Sequence, residues 1–209
     1  MATISSLINQ EGRSLVWGMA EISGWASLAG AVPQGVPRAL EGVNDGMAGV
    51  DAAAAWLKAG EAFDRWNGRR DWASFEALAT QVADVVYNGA LFGRWVHTAA
   101  TGGGWKVGES IQYPAGIIHS ALSVEQDVRE IRRLQTVPGN EARLRLEGKV
   151  WDVVKCVMKG VVSILCLGSM ALGMPLPSLM VQGLTTTWCV ATLMNYHFDT
   201  AANGAAIEV

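Results

Sequence analysis

The sequence predicts an all-α protein of about six helices, in which amphipathic helices are followed by a C-terminal transmembrane helical hairpin. Two observations carry this reading. Apolar residues recur at helical spacing along the chain, and no segment sustains an alternation of period two. In addition, no charged residue occurs from Gly160 to Phe198, and every one of the 16 basic residues lies before position 160. The composition agrees with a membrane setting. Half of the 209 residues are hydrophobic and 17% are charged, against roughly 25% in an average soluble domain. With 19 acidic residues against 16 basic ones and a net charge of -3, the chain is not a basic nucleic-acid binder, and it is too apolar for disorder.

The elements follow in order. A first helix is expected from Ser14 to Ala31, where Leu15, Met19, Ile22, Ala26 and Ala29 share a stripe and Trp17, Trp25 and Leu28 cover other faces. Glu21 is the only charge between Arg13 and Arg38. A helix apolar nearly all round is buried or in lipid, so this one is a candidate third span, stopped by Pro33 and Pro37. A second helix, Met47 to Trp66, has Asp51, Lys58, Glu61 and Arg65 on a wet side and closes at Asn67-Gly68. A third, Asp71 to Ala100, carries Val82, Val85, Gly89, Phe92 and Val96 on one stripe, with Gly89 and Gly93 spaced for close helix packing. Thr101-Gly-Gly-Gly104 breaks it.

A fourth helix, Pro114 to Gln135, sets Ile117, Ala121, Val124, Val128 and Ile131 against a charged face. After the turn at Pro138-Gly139-Asn140, a fifth helix from Glu141 to Gly173 would be on the order of 50 Å long at the usual rise, so its first third should project from the bilayer. Val153–Met174 and Ser178–Phe198 each match the roughly 20 apolar residues a spanning helix needs. Met174-Pro-Leu-Pro-Ser178 cannot continue a helix and makes the two spans antiparallel neighbours. In domain terms the chain divides into an N-terminal apolar helix (1–38), an amphipathic helical region (39–140) and the long helix with its hairpin (141–209).

The basic series entering the hairpin supplies the expected lipid-headgroup contacts: Arg143, Arg145, Lys149, Lys155 and Lys159, whose stems lie along apolar surface while the charge reaches the interface. The positive-inside rule then puts both ends of the hairpin on the cytosol-like or matrix-like side. Gln182, Thr185, Thr186, Thr187 and Asn195 in the second span prefer a protein neighbour to lipid. Gly183 is expected to pack against Ser169 and Gly173 or against a partner subunit.

No catalytic motif emerges. Cys156, Cys166 and Cys189 have no paired spacing, so neither a disulfide framework nor a zinc site is suggested. His97, His119 and His197 have no carboxylate or second histidine at i+3 or i+4 on one face, and His97 and His197, near helix ends, read as capping or headgroup groups. Gly102-Gly-Gly-Trp-Lys106 lacks the Gly-Lys-Ser/Thr ending of a phosphate loop and follows no strand. Charges are missing from the centre of both spans, where an ion path would need them, so the sequence points away from an enzyme or transporter. The N-terminus, with Arg13 against Glu11 and Glu21, does not have the pattern of a cleavable signal or transit peptide, so an internal organelle address is expected.

Asp152 entering an apolar helix, Leu167-Gly168, Gly173-Met-Pro-Leu-Pro-Ser178 and Gly183-Leu-Thr-Thr186 together give the tail a pattern that resembles the peroxisomal membrane-elongating peroxins of the eleven type. The resemblance covers about the last 60 residues, and it implies a non-enzymatic protein that inserts amphipathic helices and self-associates to elongate an organelle membrane. The broader expectation is a non-catalytic accessory subunit of a large organellar membrane complex, respiratory or ATP-synthase-like, in the mitochondrial inner membrane. Its partners would be other membrane subunits and phospholipids, without nucleic acid or a cofactor other than bound phospholipid. A peroxisomal elongation factor acting as a homo-oligomer, and a soluble helical interaction module, are the alternatives.

Overall fold

The computed structural model describes residues 16–205. It is all-α: six helices and, among the described residues, no strand. Helix α1 occupies residues 16–28; Ser14 and Leu15, the expected start of that element, lie outside the described residues. Then follow α2 (Gly35–Arg69), α3 (Trp72–Thr101), α4 (Lys106–Leu134), α5 (Asn140–Leu172) and α6 (Ser178–Ala205).

The connections are short, and each is set by local chemistry. Helix α1 ends in a Schellman turn: Gly30, at φ 75°, lets the Ala31 N–H reach the Ala26 carbonyl and its own N–H reach that of Ser27. Between α2 and α3, Arg70 takes the left-handed conformation and Asp71 caps α3, its Oδ1 accepting from the Ser74 N–H at 2.7 Å. Those Ser74 bonds hold the Asp71 carboxyl below the usual carboxylate range. Gly102 and Gly173 end α3 and α5 in the same left-handed way.

Three expected boundaries are displaced, two of them at prolines. Helix α2 begins at Gly35 rather than Met47, and Pro37 lies in its first turn, where a missing N–H costs nothing because that group has no intrahelical acceptor. The same helix passes through Asn67-Gly68 and stops at Arg69, since Arg70 and Asp71 provide the turn. Helix α4 starts eight residues before Pro114 and carries it internally. The loss of a ladder bond there is offset by burial of Gln112, Ala115 and Gly116 on either side. Residue 38 therefore falls within the opening turns of α2, and residue 140 opens α5.

Each helix from α2 to α6 packs against the next in sequence, and among these five no other pair of helix backbones is in contact. Helix α1 lies on α6 through the Trp17–Trp188 ring pair, 5.0 Å between centroids. The helices thus surround an interior that side chains of α3 and α5 bridge. Packing seams are lined by small residues: Ala48, Ala55 and Ala62 on α2, and Cys156, Gly160 and Ser163 on α5.

Polarity is inverted relative to a water-soluble bundle. Glu76 is 1% exposed, Gln112 4% and Lys159 7%, whereas Ile22 is 73% and Leu172 74% exposed. All three charged residues of α3 turn to partners on other helices: Glu76 to Arg129, Asp84 to Lys159 and Arg94 to Asp45. Phe75, Val82, Phe92 and Val96 face outward on the same helix. Charge on the outside gathers at the end holding the α2–α3 and α4–α5 turns, where Arg133 pairs with Glu130, Arg143 with Glu147 and Arg145 with Glu141. By length and composition one helix among the described residues, Asn140–Leu172, is apolar enough to cross a membrane. The expected hairpin thus has its first arm only on that criterion; α6 carries too many amides and hydroxyls along its length.

Candidate functional site

At mid-bundle, Asp84 of α3, His119 of α4 and Lys159 of α5 converge. The Lys159 Nζ donates to Asp84 Oδ1 at 3.2 Å, lies 3.4 Å from His119 Nδ1 and sits 4.0 Å above the centre of the Tyr87 ring. His119 Nε2 is 3.4 Å from the same Asp84 oxygen. A lysine so deeply enclosed keeps its charge only with an anion and further polar contacts to replace water; here one carboxylate, one imidazole and one aromatic face provide them. The close packing depends on Gly116 and Gly160, where a Cβ would press on Ser163 and Ser120 respectively.

Two further clusters flank this one. Toward the charged end, Lys149 Nζ donates to Asp127 Oδ1 at 2.8 Å and Asp152 Oδ2 at 3.0 Å, while Lys155 pairs with Asp152. Asp127, Asp152 and Cys156 lie close enough to share a cation. The two lysine ammonium groups already supply that positive charge, so the donor set fits an internal ion-pair network better than a metal site. Toward the other end, Arg94 donates to Asp45 at 2.5 Å.

Near that end Glu21, alone on α1, is met by donors from α6: Gln182 Nε2 at 2.6 Å, Thr186 Oγ1 at 2.8 Å and Thr185 Oγ1 at 3.2 Å, all to Oε2. Trp17 Nε1 donates to its other oxygen at 3.0 Å. The amide and two of the hydroxyls that α6 was expected to turn toward protein thus converge on one carboxylate. Thr187 bonds its own helix at Gly183, and Asn195 donates to the Gly148 carbonyl of α5.

Between these groups lies a cavity of about 650 Å³ reaching from Trp17 and Glu21 to His119 and Lys159. Its lining combines charged side chains of α1, α2, α3 and α5 with Tyr87, Tyr113, His119 and Trp188. Gln112 faces it with Oε1 lacking any hydrogen-bond partner among the described residues.

Of the residues expected to contact lipid headgroups, Arg143 and Arg145 are exposed at the charged end in helical i, i+4 pairs. Lys149, Lys155 and Lys159 instead turn toward carboxylates within the bundle, because Asp127 of α4, Asp84 of α3 and Asp152 of α5 itself offer nearer charge than a membrane surface. Among the packing positions, Gly93 receives the Trp105 ring, and Ser169 Oγ donates to the Met174 carbonyl in the turn. Gly89, Gly173 and Gly183 border open space, so Gly183 does not meet Ser169 or Gly173 within the chain.

The sequence reading missed the cluster itself. Glu21, Asp84 and Arg94 are isolated charges in otherwise apolar helices, and that isolation was the available signal. His119 has no chemical neighbour at helical spacing on its own helix, and its partners are on α3 and α5. The uncharged stretch of α5 and α6 also meets charges brought by other helices, Glu21 of α1 against α6 and Asp84 of α3 against Lys159 at its start. No family model, curated protein or solved structure matches the chain.

Proposed function

We propose that the chain is a non-catalytic integral membrane protein, with α5 and α6 forming a transmembrane hairpin inside a membrane-embedded bundle, and that it serves as an accessory structural subunit of a large membrane complex. The observation that carries this is the inverted bundle. Over the stretch from the α3–α4 and α5–α6 turns to the level of Asp152, large apolar side chains point outward and most ionisable ones point inward. On α5 that stretch is about 20 residues, roughly 30 Å at the rise of a helix, which is the thickness of a hydrocarbon core. Inward-facing charges lower the average apolarity of each helix read alone, which is why a helix-by-helix count understates the outer surface.

A structural role is supported by the matching of interior charges, since Asp45–Arg94 and Asp84–Lys159 link different helices. The outward small-residue positions Gly89 and Gly183 provide places where a partner helix can approach closely. The clustering of basic groups at one end favours its placement on the cytosol-like or matrix-like side. An organelle membrane, the mitochondrial inner membrane first, is the proposed setting.

The test is isolation of the tagged protein from carbonate-washed membranes in mild detergent, followed by native gels and mass spectrometry. A fixed stoichiometry with other membrane subunits is expected. Release by carbonate would overturn the membrane assignment. A homo-oligomer that tubulates liposomes by itself would replace the subunit reading with membrane elongation.

A further inference from the structure

The outer face of the α2–α3 pair carries clusters of aromatic rings at its two ends. At the α2–α3 turn, Phe63 and Trp66 of α2 meet Phe75 and Trp72 of α3 in a chain of contacts, Phe63–Trp66 at 6.0 Å, Trp66–Phe75 at 6.5 Å and Phe75–Trp72 at 5.6 Å between centroids. Trp72 is 65% exposed, and Phe63 and Phe75 are exposed as well. Toward the other end Phe92 and Trp95 stack at 5.8 Å, both exposed, and lie against Gly49 and Gly46 of α2, where a Cβ would touch their rings. Between the clusters α3 turns Val82 and Gly89 outward, and α2 turns Val50, Trp56 and Leu57 outward. Of the ionisable residues on that stretch of α2, Asp51 and Lys58 line the cavity, and Glu61, Asp64 and Arg65 gather in the turns next to Trp66.

Two measures of thickness agree on this face. About twenty residues of α3 separate the middle of the Trp72–Phe75 pair from the middle of the Phe92–Trp95 pair, roughly 30 Å at the helical rise and the thickness of a hydrocarbon core. The second measure comes from α5, which runs in the same direction as α3. Counted from the Asp84–Lys159 contact, its stretch from Asp152 to Leu172 falls beside Ala77 to His97 of α3, within about one turn of the ring pairs at both ends. Tryptophan favours the layer between hydrocarbon and headgroups, where the ring is in an apolar setting and its N–H stays wet.

We propose that the α2–α3 face crosses a phospholipid bilayer with its two ring clusters in opposite interfacial layers, the level of Val82 and Asp84 at the midplane, and the exposed Arg69 and Arg70 among the phosphates. This rests on the membrane reading above and names the residues that fix the depth of the bundle. It also makes α3 a spanning helix, although Glu76, Asp84 and Arg94 lower its average apolarity.

The experiment places nitroxide labels one at a time at Phe75, Val82, Gly89 and Val96, which share one stripe of α3, in the full chain without its native cysteines, reconstituted in phosphatidylcholine vesicles. Depth is read as accessibility to oxygen relative to a water-soluble nickel complex. The ratio should peak at Val82 and Gly89 and fall about threefold or more toward Phe75 and Val96, which lie near the two edges of the core. Trp72→Leu combined with Phe75→Leu keeps the corner apolar and removes its interfacial preference, so the peak should move toward the α2–α3 turn and the ratio at Gly89 should drop. Trp56→Leu, at the midplane, should leave the profile unchanged. All three side chains are exposed, so the fold persists. A flat profile, or a peak at Phe75 or Val96, would overturn the proposal while leaving the bundle in the membrane. Free access of the nickel complex to all four positions would overturn the membrane reading with it. Shielding of all four from oxygen as well as nickel would put a partner subunit on this face in place of lipid, and a profile indifferent to the change at Trp72 and Phe75 would remove the rings as depth anchors; either result overturns the proposal.

Discussion

Replacing Lys159 by Met, and Asp84 by Asn, separately and together, asks how the interior of this bundle is held. Lys159→Met removes the 3.2 Å bond to Asp84, the 3.4 Å contact with His119 and the ammonium over Tyr87, while keeping side-chain length. Asp84 is then left with His119 alone. Asp84→Asn does the converse and leaves an ammonium with 9% of its side chain exposed and no anion beside it. Breaking a buried pair by removing one member costs about 3–5 kcal/mol. The Asp84 side chain is 26% exposed and can draw on water, so Lys159→Met belongs near the lower end and Asp84→Asn near the upper. For a chain of this size that is a fall on the order of 10 °C in Tm. The double variant removes both charges and should recover most of the loss, because replacing a whole buried pair is often close to neutral. Thermal melting of the detergent-purified protein, with tryptophan fluorescence as readout, measures all three. Singles that melt like the parent, or a double as damaged as the sum of the singles, would refute the reasoning.

Arg129→Ala should lower the melting temperature clearly while Arg133→Ala stays within measurement scatter, because Arg129 alone answers the fully buried Glu76 whereas Arg133 pairs with Glu130 at the surface. Glu21→Leu should loosen α1 from α6; a rise in tryptophan quenching by acrylamide checks it, since Trp17 bonds Glu21 itself and Trp25 bonds Thr186 of α6. Asp71 has a folded carboxyl pKa below its unfolded value, so its capping contribution is present above the unfolded pKa and is lost as pH falls through the folded one. Asp71→Asn should therefore cap at both pH 7 and pH 3, with a smaller drop in Tm between them than the parent shows. Gly183→Leu should leave the melting of the isolated chain unchanged, as that position borders open space, yet reduce the yield of the assembled complex on native gels.

Helix content and order were legible because periodicity and glycine stops are local. Gly102 and Gly173 end their helices by a backbone conformation that only glycine adopts without strain. Pro37 and Pro114 misled the boundaries, since a proline's effect depends on where in a helix it falls and on what packs around it. The site was less legible. Asp84 and Lys159 are 75 residues apart, and Glu21 meets Gln182 across 161. No helical spacing announces such a pair. What the sequence carries is the oddity of a single charge in an apolar helix, and Lys159, read as reaching out to headgroups, reaches inward because two other helices bring it a carboxylate, an imidazole and an aromatic ring.

The central claim is that the apolar outer face of this bundle lies in a bilayer. Single cysteines at Val82, Ile118 and Ile164 on the outward faces of α3, α4 and α5, and at Arg143 on the charged end, placed in a background without the native cysteines, test it in intact membranes. A membrane-impermeant maleimide should label the Arg143 position in open or inverted vesicles and leave the other three unlabelled until detergent is added. Rapid labelling of Val82, Ile118 and Ile164 positions in intact membranes would contradict the account.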